Sequence, residues 1–404
     1  MTEAVGQATG FPGRHLDSWL MTEELCRAVF AKGARGVDLA VVEGTLEEPI
    51  ATLQCGHHDR PGGLQPIADA LDLPIVAVVP CRGWAGVHLP QLPEGTDAVL
   101  LDGLESPEDF EPVRRMIGMT KKLPVIGAVE SLPAVREALR QAPRDQFLPE
   151  ELFQQLGASF LRFADPCAIR SLSRREFPWP VPDCAPCGQR KFRVAYARDE
   201  AFGTYFPDTL ETLEGLGAEL VEFSPLRDEA LPDAVDLVMI GCGFPDLHAE
   251  ALAENYSLIS ALRGHVCRGQ RIYSEGGGTA YLGRSMILPD RQVFGAGILP
   301  FDAELLPIPP APVQATRRLT RDSWLGPKGT TVRGYRANRW RLIPGAGPLD
   351  CPSCHGELTA EGDFFFHHHA VGGLMHLHLG ALPEVVAAFA GPHRPSLTLP
   401  SARR

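Results

Sequence analysis

Apolar and polar positions follow one repeated order along the first part of the chain, in which short apolar runs are separated by longer amphipathic stretches. Four apolar runs predict buried strands at residues 37–43, 73–80, 98–102 and 123–129. Stretches with helical spacing lie between them at 64–72, 107–118 and 132–141. An earlier helix is predicted to run to Phe30, with Asp17 or Ser18 as its N-cap. This alternation is typical of βαβ units and a parallel sheet.

The same alternation restarts after a proline-rich segment. Residues 164–191 contain five prolines, so we place an interdomain linker at 166–191, between domains at 1–165 and 192–395, with a tail at 396–404. The second domain has predicted strands at 192–197, 219–223, 236–240 and 374–379, helices at 208–217, 247–266 and 383–390, and a more antiparallel region at 284–345. The predicted fold class is therefore α/β with two parallel-sheet domains.

Composition and charge narrow the class of partner. The chain is 44% hydrophobic and 22% charged, which is ordinary for a globular protein, and its net charge is -12. An acidic surface with scattered basic residues argues against nucleic acid and against an anionic membrane as partners. We find no apolar run long enough to span a membrane and no secretory signal in the polar first residues, so we expect a cytoplasmic protein with reduced thiols.

A glycine-dense turn is the most informative local feature. It lies in Tyr273-Ser-Glu-Gly-Gly-Gly-Thr-Ala-Tyr-Leu-Gly283, between an apolar segment and an apolar, helix-like stretch. This is the pattern of a nucleophile elbow, in which one side chain stands on a strained turn between strand and helix. The residue at the apex is Gly276, whereas acyl transfer needs a thiol or a hydroxyl there. The sequence thus predicts the scaffold of an acyl-transfer site without its reacting atom.

Several segments together carry a resemblance to a known family. They are Leu16-Asp-Ser-Trp-Leu-Met21, Ala40-Val-Val-Glu-Gly44, Val194-Ala-Tyr-Ala-Arg-Asp-Glu-Ala-Phe202, Gly241-Cys-Gly-Phe-Pro-Asp-Leu-His-Ala-Glu250, Gly297-Ile-Leu-Pro-Phe-Asp302 and His376-Leu-His378. In this order they resemble the cobyrinic acid a,c-diamide synthases, glutamine- and ATP-dependent enzymes that amidate acetate side chains of a corrin precursor.

That resemblance implies a fold and a set of site residues. The first domain is expected to be a truncated P-loop-NTPase-like (dethiobiotin-synthetase-like) domain, and the second a class I glutamine-amidotransferase-like (flavodoxin-like) domain. Asp17 and Trp19 would lie near the substrate groove, although a helix cap with its hydrophobic anchor explains the same residues. Glu43 would correspond to the magnesium-binding carboxylate.

The chain departs from the family at the motifs that bind phosphate and that supply the nucleophile. It contains no Gly-x-x-x-x-Gly-Lys, the loop that cradles phosphates, and we expect it to start after that segment. Thr45-Leu-Glu-Glu-Pro-Ile50 stands where the family has Met-Gly-Leu-Phe-Asp-Gly, and Glu275-Gly-Gly-Gly278 stands where it has Glu-Cys-Gly-Gly. Gly241-Cys-Gly-Phe-Pro245 resembles the family's Gly-Gly-Tyr-Pro. We therefore expect neither ATP and Mg²⁺ binding nor glutaminase activity by the family's usual route.

Cys242 is the candidate substitute for the missing nucleophile. By resemblance, its segment supplies backbone donors to the oxyanion. His376 or His378 is the candidate base, since a histidine partner favours the reactive thiolate. The alternative is a small buried cysteine at a strand end, with both histidines as remnants of the family's glutaminase strand. Ser274 precedes the apex by two positions and is expected to point into the strand.

A second constellation has the spacing of a metal site. The candidate ligands are Cys351, Cys354, His355, His367 and His369. A Cys-x-x-Cys pair with a histidine about a dozen residues further on fits zinc. Stray loop cysteines beside a histidine-rich edge strand explain the same pattern. The histidines, His376 and His378 among them, also offer axial ligands to a metallated tetrapyrrole.

These observations leave three hypotheses about function. The leading one is a catalytically degenerate relative of the diamide synthases that binds a tetrapyrrole, corrinoid or haem-like, or a partner protein. The second is an active amidotransferase that uses free ammonia, or a complex with a separate ATP-binding subunit, to amidate tetrapyrrole carboxylates. The third is a metal-binding interaction module. A homodimer is compatible with each of them.

Overall fold

The structure is a computed structural model that describes residues 2–44, 64–81, 92–141, 148–174, 192–309, 312–319, 321–336, 339–345 and 364–390. The chain divides into two compact units, Met1–Pro182 and Asp183–Arg404. Within the described ranges, no helix has the length and apolar character needed to cross a membrane.

Helices and strands alternate in the first unit, as the sequence predicts. Its helices are α1 (Thr2–Thr9), α2 (Glu23–Gly33), α3 (Leu64–Leu71), α4 (Phe110–Lys121), α5 (Pro133–Gln141), α6 (Glu150–Phe163) and α7 (Pro166–Ser173). Its strands are β1 (Ile75–Pro80), β2 (Thr96–Leu104) and β3 (Val125–Glu130), which form one parallel sheet in the order β1-β2-β3. Buried residues of all three strands, among them Val79, Leu101 and Ala128, pack against Phe110 and Ile117 of α4.

Two local predictions for the first unit are wrong, and the predicted linker begins with a helix. Residues 37–43 form no strand, and Leu39 and Val41 are 51% and 80% exposed, because no neighbouring strand pairs with this run among the described residues. The helix that reaches Phe30 begins at Glu23 and is capped by Thr22, whose hydroxyl accepts the Leu25 N–H at 3.3 Å. Residues 166–173 of the predicted linker form α7, which begins at a proline and is capped by Asp165.

The second unit contains the larger part of the secondary structure. Its helices are α8 (Pro207–Gly215), α9 (Ala249–Glu254), α10 (Tyr256–Cys267), α11 (Gly276–Leu282) and α12 (Pro383–Ala390). Its strands are β4 (Phe192–Ala197), β5 (Phe202–Thr204), β6 (Ala218–Phe223), β7 (Leu237–Ile240), β8 (Cys242–Gly243), β9 (Arg271–Glu275), β10 (Ser285–Ile287), β11 (Gln292–Phe294), β12 (Phe301–Leu305), β13 (Val313–Arg318), β14 (Thr331–Arg336), β15 (Trp340–Pro344), β16 (Phe364–His367), β17 (Ala370–Gly373) and β18 (Met375–Leu377).

A six-stranded sheet in the order β16-β17-β9-β7-β4-β6 organises this unit. All of its pairs are parallel except β16–β17. Apolar residues cover both faces, with one core around α10 and α11 and another around α8 and α12. Strands buried on both faces are apolar throughout, which is why β7 is a continuous run of Leu-Val-Met-Ile.

Two predictions for the second unit need correction in detail. The helix predicted at 247–266 is interrupted at Asn255, whose side chain caps α10 by accepting the Leu258 N–H at 3.2 Å. The region 284–345 is antiparallel in most of its pairs, as predicted, but β10 and β12 run parallel. Strand β18 is antiparallel to β14, and the chain then turns back toward α12.

Candidate functional site

The strand-to-helix turn after β9 has the geometry of an elbow. Strand β9 ends at Glu275, and α11 begins at Gly276, whose backbone lies in the left-handed region at φ 50°. Glycine adopts this conformation without the penalty that a Cβ atom brings. Every residue of α11 is buried. A Cβ atom on Gly278 would lie 2.3 Å from the carbonyl oxygen of Ile240, so this helix start packs directly against the end of β7.

The Cys242 thiol fills the space above the elbow. A Cβ atom built on Gly276 would lie 2.8 Å from Cys242 Sγ. Cys242 itself is half-buried and begins β8, and only Gly241 separates it from the end of β7. Tyr205 holds this segment in place, because its buried hydroxyl accepts the Gly241 N–H at 2.9 Å and lies 3.0 Å from the carbonyl oxygen of Ala197. The chain therefore places a thiol at the apex of the elbow although residue 276 has none.

The Glu275 carboxylate is buried and fully engaged. Its Oε1 accepts the Tyr273 hydroxyl at 2.7 Å and the Leu377 N–H at 3.1 Å, and its Oε2 lies 2.6 Å from Nδ1 of His376. Burial, reinforced by the negative charges of Glu275 and Cys242, raises the pKa of Tyr273 well above its ordinary value, so this phenol stays protonated and remains a donor. These three contacts fix the carboxylate at the end of β9 and tie it to β18.

His376 is the cationic member of the cluster. Its ring stacks on Phe206, with a centroid distance of 4.1 Å and an interplanar angle of 18°. Burial opposes protonation of His376, but the neighbouring Cys242 and Glu275 outweigh burial and raise its pKa to about 10. At neutral pH the ring is therefore an imidazolium that pairs with the Glu275 carboxylate.

Cys242, Glu275 and His376 thus converge from three separate parts of the chain. One ligand atom of each lies within 4.8 Å of the other two. The sequence named Cys242 and His376 as possible partners, and the structure brings them together. It did not single out Glu275, because the contact between Glu275 and His376 joins residues 101 positions apart. The turn motif itself, with a glutamate directly before the glycine apex, was the available signal.

The other two candidates of this lobe lie outside the cluster. His378 is 1% exposed, 3.8 Å from a carboxylate oxygen of Asp208, and has no hydrogen-bond partner for its ring nitrogens among the described residues. The Ser274 hydroxyl lies 3.0 Å from that of Thr279, which in turn bonds the backbone of Gly373. Ser274 therefore clamps the elbow to β17 and does not face Cys242.

The structure describes the surroundings of the predicted substrate residues of the first unit. Asp17 is 1% exposed, and its side chain accepts the N–H groups of Trp19 and Leu20 at 2.7 and 3.1 Å. Glu43 is exposed and lies outside any strand. A substrate role for Asp17, Trp19 and Glu43 stays a prediction, and the turn stabilised by Asp17 explains that residue by itself.

The predicted metal site is described only in part. Cys351, Cys354 and His355 lie outside the described residues. His367 ends β16, and burial together with the nearby His368 lowers its pKa. The backbone carbonyl of His369 accepts the indole N–H of Trp324 at 2.9 Å. Zinc or a tetrapyrrole metal at this cluster stays a prediction.

Comparison with known proteins shows which domain and which enzymes the chain resembles. Residues 193–339 match the CobB/CobQ-like glutamine amidotransferase domain. The chain is 29% identical to the cobyrinate a,c-diamide synthase of Magnetococcus marinus, over 75% of this chain and 68% of that protein. It is 27% identical to the cobyrinate a,c-diamide synthase of Dehalococcoides mccartyi, over 95% of this chain and 87% of that protein. The chain is therefore similar to the cobyrinate a,c-diamide synthases, and its second unit contains a CobB/CobQ-like glutamine amidotransferase domain.

A third diamide synthase, from Syntrophotalea carbinolica, is 29% identical over 80% of this chain and 73% of its own length. The family domain matched at residues 193–339 includes Cys242, Glu275 and Gly276. His376 lies beyond that match and enters the site through β18. The second unit therefore has an elbow in an amidotransferase-like domain. The thiol at this elbow belongs to Cys242, and residue 276 has none.

Proposed function

We propose that this chain functions in cobalamin-related metabolism without running the full glutamine- and ATP-dependent cycle of its relatives. Similarity to the diamide synthases supports a related function in that metabolism. In this proposal the chain is degenerate at the positions where the family carries its phosphate loop and its nucleophile, and its surviving groove binds a tetrapyrrole or a partner protein.

The observation that carries the proposal is the elbow at Gly276. The apex residue has no side chain of its own, and a Cβ atom there would lie 2.8 Å from Cys242 Sγ. Residue 276 therefore supplies no nucleophile while Cys242 keeps its present position.

The test has two parts that use the purified chain. We expect no ATP-dependent amidation of cobyrinate with either glutamine or ammonia as nitrogen source. We expect a change in the visible absorbance of an added corrinoid or haem, which reports binding. An amidated product that depends on ATP would refute the proposal. The proposal would also be refuted if the spectra of both pigments stayed unchanged and no protein partner bound the chain.

A second candidate is favoured by one specific observation. The arrangement of Cys242, Glu275 and His376 retains the elements of a thiol-dependent nitrogen donor. In this alternative the chain is an amidotransferase subunit, and a separate ATP-binding subunit activates the tetrapyrrole carboxylate. Amidation that appears only when such a subunit is added, with glutamine as donor, would establish this candidate over the first.

A further inference from the structure

Side-chain atoms from two positions of the chain, residues 242 and 276, can occupy the apex of the elbow. Residue 276 approaches it from β9, and Cys242 reaches it from the end of β7 with its Sγ 2.8 Å from the Cβ position of residue 276. A cysteine side chain at 276 and the present side chain of Cys242 would therefore compete for the same volume.

The side chains beside the Cys242 thiol hold one another in a defined orientation. Glu275 accepts three donors, one of which is Nδ1 of His376. This contact fixes the plane of the His376 ring, and stacking on Phe206 restrains it further. A nucleophile, a base and a group that orients the base are the three parts of an activated thiol site.

We infer that Cys242 is a relocated nucleophile, with His376 as its acid–base partner and Glu275 as the residue that orients His376, and that the site attacks a carboxamide of the glutamine type. This inference rests on the second candidate function above and deepens it, because it assigns a role to each of the three side chains. It concerns only the chemistry of the second unit and holds whichever molecule occupies the groove.

A metal ion would be the other use of the same three side chains. Two ligands of a tetrahedral zinc ion, bound at about 2.0–2.1 Å, are about 3.3 Å apart. Nδ1 of His376 and Oε2 of Glu275 are only 2.6 Å apart, which is a hydrogen-bond distance. Both oxygens of Glu275 also have donors already. The geometry therefore fits an acid–base pair better than a pair of metal ligands.

The reaction follows from these roles with water as the only co-reactant. The Sγ thiolate attacks the carbonyl carbon, forms the C–S bond and leaves a tetrahedral oxyanion. The C–N bond then breaks, and the imidazolium of His376 gives its proton to the departing amine, which leaves as ammonia. His376 next takes a proton from water, and the resulting hydroxide cleaves the thioester. The carboxylic acid is released, and the Sγ thiolate and the His376 imidazolium are restored.

The experiment uses the native chain and a diazoketone analogue of glutamine, which alkylates nucleophilic thiols. Peptide mass spectrometry should locate the adduct on Cys242, whereas the exposed Cys167 and Cys267 serve as internal controls. We expect the rate at Cys242 to exceed that at Cys267 by about 100-fold, and His376→Gln to remove most of this advantage.

Three results would overturn the inference. They are an adduct rate at Cys242 equal to that at Cys267, no adduct at Cys242 at all, and one equivalent of Zn²⁺ in the purified chain that Cys242→Ser removes. The first two are measured on native protein and so do not depend on the folding of a variant. None of these results bears on corrinoid binding or on ATP-dependent amidation, so the inference and the proposed function fail separately.

Discussion

Cys242 Sγ and the backbone of Gly276 share one small volume, because a Cβ atom on Gly276 would lie 2.8 Å from that sulfur. Real Cβ atoms are essentially never found this close to another heavy atom. A side chain at residue 276 and the present position of the Cys242 thiol therefore exclude each other, and the two residues have to be considered as a pair.

The first prediction tests this pairing by stability. Gly276→Ala introduces a Cβ into a left-handed backbone, which costs about 1–2 kcal/mol, and also pushes on the sulfur. Cys242→Ala removes the obstacle, so the double variant should keep only the backbone cost. Urea unfolding of the two single variants and the double variant should give a coupling free energy of at least about 0.5 kcal/mol. Strictly additive effects would mean that the two side chains do not compete.

The second prediction concerns the carboxylate. Glu275→Gln keeps the shape but places an amide among three donors, so one donor is left unsatisfied. We expect the free energy of unfolding to fall by about 1–3 kcal/mol. The reaction of Cys242 with the diazoketone should also slow. Tyr273→Phe is the matched control, because it removes one donor and leaves the charge in place. A Glu275→Gln variant that reacts at the native rate would exclude an orienting role.

The third prediction concerns pH. Despite burial, Cys242 and Glu275 raise the pKa of His376 from 6.5 to about 10. A pKa that is higher in the folded than in the unfolded state contributes stability that is complete below about pH 6.5 and is lost as the pH rises through about 10. NMR of the imidazole ring should show it protonated at pH 8, and Cys242→Ala should lower its pKa. A ring already neutral at pH 8 in the native protein would contradict the ion pair.

The fourth prediction concerns the residue that holds the Cys242 segment. Tyr205→Phe removes the acceptor of the Gly241 N–H and leaves that donor buried without its partner. We expect a loss of about 1–3 kcal/mol in the free energy of unfolding and slower alkylation of Cys242. Tyr256→Phe is the control, since Tyr256 is 72% exposed. Equal effects of the two substitutions would show that the Tyr205 hydroxyl does not position the loop.

The parallel sheets could be predicted from the sequence because their strands are buried on both faces. Apolar runs such as Leu237–Ile240 and Phe192–Ala197 have few alternatives to a central strand. The same criterion failed at residues 37–43, where Leu39 and Val41 are apolar but exposed. An apolar run predicts a strand only where other strands and helices cover it, and that cover is a tertiary property.

The site could be predicted only in part for a related reason. The glycine pattern around Gly276 predicted the elbow. Residue type alone indicated that Cys242 and His376 are candidate reactive groups. Their distance from each other was not in the pattern, since it depends on β7, β9 and β18 meeting at one place. Asp17 shows another limit of the sequence, because its side chain stabilises a turn through two backbone donors, whereas its substrate role stays a prediction.

One exchange of side chains tests the central claim most directly. The claim is that Cys242 supplies, from a different chain position, the thiol that serves the elbow. The measurement is the rate and position of diazoketone labelling in Cys242→Gly and in the double variant Cys242→Gly with Gly276→Cys, both checked for folding by circular dichroism. A displacement of about 1 Å can cost about 100-fold in rate. We therefore predict that labelling of the second unit in the single variant falls to the slow rate of exposed cysteines such as Cys267. In the double variant we predict labelling at residue 276 at no less than about one hundredth of the native rate. A folded double variant that is not labelled at residue 276, or a single variant labelled as fast as the native chain, would contradict the account.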